Sequence, residues 1–257
     1  IIFKRMVLYM NINFMTWNTK LFMKGNIVGN KQEAIDCKKY DKIINIVKNH
    51  VEKENGIAIL QEIPYKSNCN TRYYKKWEEH YLFVRFTEDF PKDQYSLIYN
   101  NFNERQIKMT VVIAKSNVIQ RNKDGINNNR CVSFFVNKTD LNVLGVHSHN
   151  AFELRNELAE NESFHPNIIL GDFNSGNYVK EKNDNEIAVN RKNYLMLTEG
   201  YIDICQGEYT CLYNTHIDHI LLENSNRFHE KYKYTDVVVD RGIELSDHYP
   251  IYCTIVS

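Results

Sequence analysis

Ser246-Asp247-His248-Tyr249-Pro250 runs straight into Ile251-Tyr252-Cys253-Thr254-Ile255-Val256 near the end of a 257-residue chain. A polar turn carrying a carboxylate and an imidazole opens directly onto an apolar stretch that reads as a buried strand. The same juxtaposition recurs along the chain. Ile168-Ile169-Leu170 leads into Gly171-Asp172-Phe173-Asn174, and Asp218 sits among Ile217, Ile220, Leu221 and Leu222. Phe14-Met15-Thr16-Trp17 ends in Asn18, Ile57-Ala58-Ile59-Leu60-Gln61 in Glu62, and Leu144-Gly145-Val146 in His147. Strands ending in Asn, Glu, His and Asp gather those side chains at one rim of a sheet. Carboxylates and imidazoles converging there point to metal-assisted hydrolysis.

In chain order the polar set is Asn, Glu, His, Asp-x-Asn, Asp, Asp-His. On Thr16-Trp17-Asn18-Thr19, Leu60-Gln61-Glu62-Ile63, Val146-His147-Ser148, Gly171-Asp172-Phe173-Asn174, Ile217-Asp218-His219-Ile220 and Ser246-Asp247-His248-Tyr249-Pro250, the sequence resembles the endonuclease/exonuclease/phosphatase superfamily, with its DNase I-like fold. These stretches run from Asn18 to Pro250, nearly the whole chain. The resemblance implies an α/β protein: a four-layer α/β/β/α sandwich of two packed mixed sheets flanked by helices. It also implies a phosphoester hydrolase.

The bulk properties agree with one sizeable soluble domain: 43% apolar and 25% charged residues. No apolar run approaches the ~20 residues that span a bilayer, so no stable membrane association is expected. The chain does not begin with Met, and Met10 stands just before the first strand. Residues 1–9 are therefore read as an extraneous extension and 10–257 as a single domain. The first ten residues lack a long apolar core and a small-residue cleavage site, so an export signal is not expected. The six cysteines show no metal-type pairing. Cys205 and Cys211 are close enough for a loop disulfide, but reduced thiols in a cytoplasmic protein are the expectation.

Net charge is zero, which weighs mildly against a dedicated nucleic-acid binder. The charge is uneven, however. Arg105, Lys108, Lys115, Arg121, Lys123 and Arg130 face only Glu104 and Asp124 between Asn101 and Arg130. Lys66, Arg72, Lys75 and Lys76 alternate with Tyr73, Tyr74 and Trp77, a mixture that can track a phosphate backbone and stack a base. A solvated surface is the alternative.

Tyr40, Ile43, Ile44, Val47 and Val51 recur at spacings of three and four, which predicts a helix over 32–53 closed by Gly56 in a left-handed conformation. Further helices are predicted within 72–90, over 151–161 with Phe152, Leu154 and Leu158 packing inward, and around 191–198. Strands are predicted at 11–17, 57–61, 95–99, 109–114, 131–136, 141–146, 167–170, 201–204, 217–222, 234–239 and 249–256. Helices falling between groups of strands fit two facing sheets with helices outside.

The candidate site residues divide by chemistry. A hard cation such as Mg²⁺, with Mn²⁺ as a substitute, takes oxygen ligands. Glu62 is the principal candidate, with Asp247 and Asn18 adding oxygens. This set is similar to the family's ligands. Asp172 can orient or deprotonate the attacking water, and Asn174 can donate to a phosphate oxygen. An extended local chain would point both to the same side; the alternative is an Asx turn. Asp218 and His248 form a carboxylate–imidazole pair, in which His248 is a general base, a cation toward phosphate or a satisfied core histidine.

His147 resembles the histidine that protonates the leaving oxygen in the DNase I-like branch. There a neighbouring-strand glutamate supports it, but 105–112 holds no carboxylate here, which leaves a phosphate contact as its other role. Relatives carry an acidic residue where Lys20 stands, so Lys20 removes one potential ligand and adds a substrate contact. His149, Lys75, Lys76 and Arg105 complete the substrate-binding candidates.

The leading reading is a divalent-metal-dependent phosphodiesterase attacking nucleic acid with water, as endonuclease or exonuclease. A phosphatase or phosphodiesterase of a small phosphorylated molecule or lipid headgroup is the alternative. A catalytically silent binding domain ranks third, because every motif position is filled.

Overall fold

Asn55, not Gly56, takes a left-handed conformation after the first long helix, with φ 47°, in the turn that leads into the next strand. Gly56 is needed for a different reason: a Cβ there would lie 2.2 Å from His50 O. The helix itself buries Tyr40, Ile43, Ile44, Val47 and Val51, as their spacing predicts.

The computed structural model describes residues 10–21, 30–67, 77–100, 105–176 and 183–257. Residues 1–9, Lys75 and Lys76 lie outside these ranges. In chain order the elements are β1 (Asn11–Asn18), α1 (Asn30–Val51), β2 (Gly56–Pro64), α2 (Tyr81–Asp89), β3 (Tyr95–Tyr99), β4 (Lys108–Lys115), β5 (Ile119–Arg121), β6 (Cys131–Val136), β7 (Asn142–His147), α3 (Ala151–Glu160), β8 (Ile168–Asp172), α4 (Asp184–Leu197), β9 (Tyr201–Asp203), β10 (Asp218–Glu223), α5 (Asn226–Lys231), β11 (Lys233–Val239) and β12 (Ile251–Val256).

The strands form two six-stranded sheets, ordered β11-β12-β1-β2-β4-β3 and β5-β6-β7-β8-β10-β9. Each sheet has one parallel pair, β1 with β2 and β7 with β8, flanked by antiparallel neighbours. Helices α1 and α3 make the two crossovers that parallel pairing requires.

Alternation along the strands sorts the layers. Ile12 and Phe14 of β1 and Ile57 and Ile59 of β2 enter a core shared with Val132, Phe134, Val143, Ile168 and Leu170 of the second sheet. Met15, Trp17, Ala58 and Leu60 point the other way and pack beneath α1 and α2. Leu144, Val146, Ile169 and Leu221 pack outward against Leu154 of α3 and Tyr194 and Leu197 of α4. Both faces of each central strand are buried, which explains their continuous apolar runs. The result is the four-layer α/β/β/α sandwich of two mixed sheets. Full burial of side chains such as Phe14 and Ile59 contributes about 1.5–3 kcal/mol each.

Some expectations need correction. Phe152 is exposed at 45% and lies beside Arg155, while Leu154 alone of the expected trio is fully buried. The helix predicted at 191–198 begins at Asp184, behind a capping box in which Asn183 and Glu186 exchange hydrogen bonds. Within 72–90, the described helix starts only at Tyr81, where the His80 side chain caps it. The short β5 and α5 carry too few residues to leave a periodic pattern. Cys37, Cys131, Cys205, Cys211 and Cys253 are free thiols; Cys69 lies outside the described residues. Among the described residues, no helix is long and apolar enough to cross a membrane.

Candidate active site

Topology alone brings the polar strand ends together. Because β1 and β2 run parallel with Asn18 opposite Gln61, Asn18 and Glu62 emerge at the same rim. Strand β12 is antiparallel to β1, so Ser246-Asp247-His248 enters at that rim too. In the second sheet, His147 and Asp218 both lie in register with Asp172 from opposite sides.

Side chains then join the sheets. Asn18 Nδ2 donates to Asp172 Oδ2 at 2.8 Å. His147 Nε2 lies 3.6 Å from Glu62 Oε1 and 3.7 Å from Asp172 Oδ2. His248 Nδ1 sits 2.9 Å from Asp218 Oδ2, and its Nε2 is 3.9 Å from Asp172 Oδ2. Trp17 Nε1 donates to His248 O at 2.9 Å and Ser246 Oγ to Asn18 O at 2.7 Å, so the turn before β12 is fastened to the end of β1.

Two backbone irregularities aim the carboxylates. The β2–β4 register shifts between Leu60 and Ile63, and Glu62 there has φ 57°. Such a bulge re-aims a side chain at a strand end. Gly171, at φ 143°, would put a Cβ 2.0 Å from Val146 O, so only glycine lets β8 approach β7 this closely before Asp172.

The chain beyond Asp172 is not extended, contrary to the condition for placing both side chains on one side. Asn174 turns to φ 49°, and its N–H donates to Asp172 Oδ1 at 2.8 Å, forming an Asx turn. Its side-chain amide donates to Ser148 O at 2.8 Å.

The electrostatics separate the histidines. Burial works against the His248 imidazolium, but the charges of Asp218 and Asp172 and the Asp218 hydrogen bond lift its pKa to about 10. Burial drives His147 the other way, to about 4, with the positive charges of Lys108, Arg130 and His248 assisting. At neutral pH His248 is thus a cation and His147 a neutral ring. Burial also pushes the Asp172 carboxyl up, against the attraction of His248. Burial pushes Asp247 up as well, but Lys20 outweighs this and holds it below the usual carboxylate range.

Lys20 pairs with Asp247, and Lys108 Nζ lies 2.5 Å from Glu62 Oε1. Donor atoms of Asp172, Asp218 and His248 all fall within 4.8 Å of one another, a grouping able to hold a cation.

No family model matches the sequence, and no curated protein matches it. Solved structures do match. D. rerio TDP2, humanized by 14 mutations, superposes with a TM-score of 0.60 at 13% identity, covering 95% of this chain and 98% of that one. An endonuclease/exonuclease/phosphatase from Bacteroides vulgatus gives 0.59 at 14% identity, with coverage of 95% and 98%. The chain has the DNase I-like fold. A Bacteroides thetaiotaomicron mannosyl-6-phosphatase shares it as well, with a TM-score of 0.54 at 14% identity over 96% of this chain and all (100%) of that one.

Within this DNase I-like sandwich, Asn18, Glu62, His147, Asp172, Asn174, Asp218, Asp247, His248 and Lys20 come to the one rim. His149 is exposed on the loop after β7. Arg105 is exposed and stands over the Trp77 ring at 5.9 Å, and Lys66 over Tyr65 at 5.7 Å; both follow β2 or precede β4 at the Glu62 end of their sheet. Sequence reasoning missed Lys108 and Arg130 as parts of the site. Lys108 stands in the stretch where a glutamate was sought for His147, and it pairs with Glu62 instead. Arg130 donates to His147 O at 3.0 Å, and no local motif announces it.

Proposed function

We propose that the chain is a divalent-metal-dependent phosphoester hydrolase that attacks with water, and that its substrate is a nucleic-acid phosphodiester. The observation that carries this reading is a buried His248 held 2.9 Å from Asp218 and facing the buried Asp172 at 3.9 Å, at a rim that also gathers Glu62 and Asp247.

The residues present suit a cation. Lys20 feels Asp247 most strongly and Glu62 as well, so both carboxylates already face one shared positive charge. Glu62 and Asp247, with Asn18 as a third oxygen donor, would hold Mg²⁺ or Mn²⁺. The ion would supply Lewis-acid neutralisation of phosphoryl charge.

The chain's own groups divide the remaining work. Asp172, oriented by Asn18, accepts the proton of the attacking water, and burial makes it a stronger base. His248, kept cationic by Asp218, binds a phosphate oxygen. His147 stays neutral and hydrogen-bonds phosphate instead of delivering a proton. Asn174 has one amide hydrogen left after Ser148, directed to the same substrate.

For nucleic acid, the supporting features are Lys66 and Arg105 standing over aromatic rings near the Glu62 end of β2. D. rerio TDP2 has also been solved with a single-strand DNA product. A small phosphorylated substrate is the second reading. It is favoured by the zero net charge and by the likeness to a mannosyl-6-phosphatase. The test is a substrate panel with Mg²⁺ or Mn²⁺, covering single- and double-stranded DNA, RNA, abasic DNA, phosphoinositides and phosphomonoesters. Chelator-sensitive cleavage of a polynucleotide is expected. Turnover undiminished by excess chelator would remove the metal mechanism, and phosphomonoester release with no cut in any polynucleotide would favour the second reading.

A further inference from the structure

Successive strand residues point to opposite faces, so while Asp218 turns toward His248, His219 turns to the outer face of its sheet, beneath Tyr194 of α4. A second cluster of ionisable groups sits there. Asp203 Oδ2 accepts the Tyr194 hydroxyl, lies 2.8 Å from His219 Nδ1 and lies 3.4 Å from His216 Nε2. None of the residues just placed in the hydrolytic chemistry belongs to it.

Two features of this cluster are unresolved by hydrogen bonding alone. His219 Nε2 stands 2.7 Å from Ser175 O, and only an N–H can donate to a carbonyl, so that nitrogen carries a hydrogen. In a neutral ring, Nδ1 then aims a lone pair at a carboxylate oxygen, and a proton or a cation must lie between them. His216 is 0% exposed, yet neither of its ring nitrogens has a hydrogen-bond partner. A proton on His219 removes the first conflict and leaves the second untouched. One metal ion removes the first and gives His216 Nε2 a partner as well, because it takes the His219 lone pair, the Asp203 oxygen and the His216 Nε2 lone pair together; only His216 Nδ1 is left without one.

We propose that Asp203, His216 and His219 form a binding site for a zinc-type cation, separate from the hydrolytic rim. Their donor atoms lie within 4.8 Å of one another. Ligand atoms bound to a tetrahedral ion at about 2.0–2.1 Å sit roughly 3.3 Å apart, so the 2.8 and 3.4 Å separations need little adjustment. Two imidazoles and one carboxylate suit Zn²⁺ rather than Mg²⁺. A metal-bound histidine usually donates its other N–H to a carbonyl or carboxylate, as His219 does to Ser175.

The position gives the ion a task. Asp203 ends β9 and His216 stands two residues before β10, so the cation would staple both ends of the intervening loop. That loop carries Leu212, whose N–H donates to Asp247 O at 2.8 Å, and Cys211, which bridges to His248. The staple would thereby steady the turn that delivers two rim residues.

The test is metal analysis of the whole chain after dialysis against metal-free buffer without chelator, with Zn²⁺ then added in known amount. Near-stoichiometric zinc is expected in the wild type. It should persist in a Glu62→Gln/Asp247→Asn variant, which lacks two rim carboxylates, and fall at least tenfold in His216→Gln. Added Zn²⁺ should raise Tm in the first two proteins and not in the third. Zinc that survives His216→Gln unchanged, or a wild type that neither retains zinc nor gains Tm from it, overturns the site. If His216→Gln does not fold, Asp203→Asn takes its place: a tenfold or greater loss of zinc supports the site, and zinc retained unchanged overturns it.

Discussion

Asn18, at the end of β1, donates a 2.8 Å hydrogen bond to the carboxylate of Asp172, at the end of β8. This bond ties the two sheets together at the rim. The other Asp172 oxygen accepts the Asn174 N–H, so the carboxylate is held by one donor from the end of β1 and one from the turn after β8. Asp172 is almost wholly buried, and its direction is therefore fixed by the fold rather than by solvent.

Replacing Asp172 by Ala should lower kcat by about a hundredfold or more, the usual size for a positioned proton acceptor. Asn18→Ala keeps the base but loosens its aim, and a loss of about tenfold to a hundredfold is expected. Steady-state rates beside thermal melts separate this from unfolding. A near-wild-type rate in a folded Asp172→Ala would end the assignment of Asp172 as the base.

His248 makes a signed prediction for alkaline stability. Its pKa rises from 6.5 to about 10 on folding, through the charges of Asp218 and Asp172 working against burial. A raised pKa contributes stability that is complete below 6.5 and lost as pH rises through about 10. In Asp218→Asn that decline should flatten, because its main charge partner is gone. Tm of metal-free protein measured from pH 6 to 10.5 checks this; equal slopes in both proteins would contradict it.

Lys20 competes for the carboxylate it pairs with. Its ammonium neutralises Asp247 and feels Glu62, the two residues proposed to hold the metal. Lys20→Ala should lower the Mg²⁺ concentration for half-maximal activity a few-fold, the modest size expected for a partly exposed pair. A higher metal requirement in the variant would mean that Lys20 assists metal binding instead.

Much of this site was legible because its residues end strands. Asn18, Glu62, His147 and Asp172 each follow an apolar run, and parallel or antiparallel pairing leaves such ends only one rim to occupy. What was hidden depends on distant partners or on single dihedral angles. Asp172-x-Asn174 left an extended arrangement and an Asx turn open in the sequence, and the single dihedral of Asn174 decides for the turn. Lys108 and Arg130 gain their place only when β4 and β6 pack, and no spacing in the sequence records that. Phe152 read as a packing residue of α3 but faces solvent, because α3 buries the Ala151 and Leu154 side, and Phe152 stands only two positions from Leu154.

Acid should destabilise the fold through buried neutral histidines. Burial lowers His50 from 6.5 to about 4, with Lys53 assisting and the Asn13 carbonyl opposing; His80 reaches about 4 by burial as well. A depressed pKa contributes stability present above 6.5 and lost as pH falls through about 4. His50→Gln, which retains a donor toward Asn13 O and cannot titrate, should make Tm fall less steeply between pH 6.5 and 4. An unchanged slope would remove His50 from this account.

The substrate class is open to a single salt titration. Lys66 and Arg105 stand over Tyr65 and Trp77 beyond the Glu62 end of β2, and Lys75 and Lys76 lie between them in sequence. A polynucleotide held by these cations releases counterions, so its apparent affinity should fall steeply with added salt. Reversing Lys66 and Arg105 to Glu should raise KM with little change in kcat, since backbone contacts hold ground and transition states alike. The slope of log affinity against log salt should shrink by about one for each phosphate contact removed. A small phosphoester bound only at the rim would be far less sensitive to salt and would tolerate both reversals. An enzyme whose polynucleotide KM ignored both salt and charge reversal would have its nucleic-acid surface elsewhere, while the rim chemistry of Asp172 and His248 would stand unaffected.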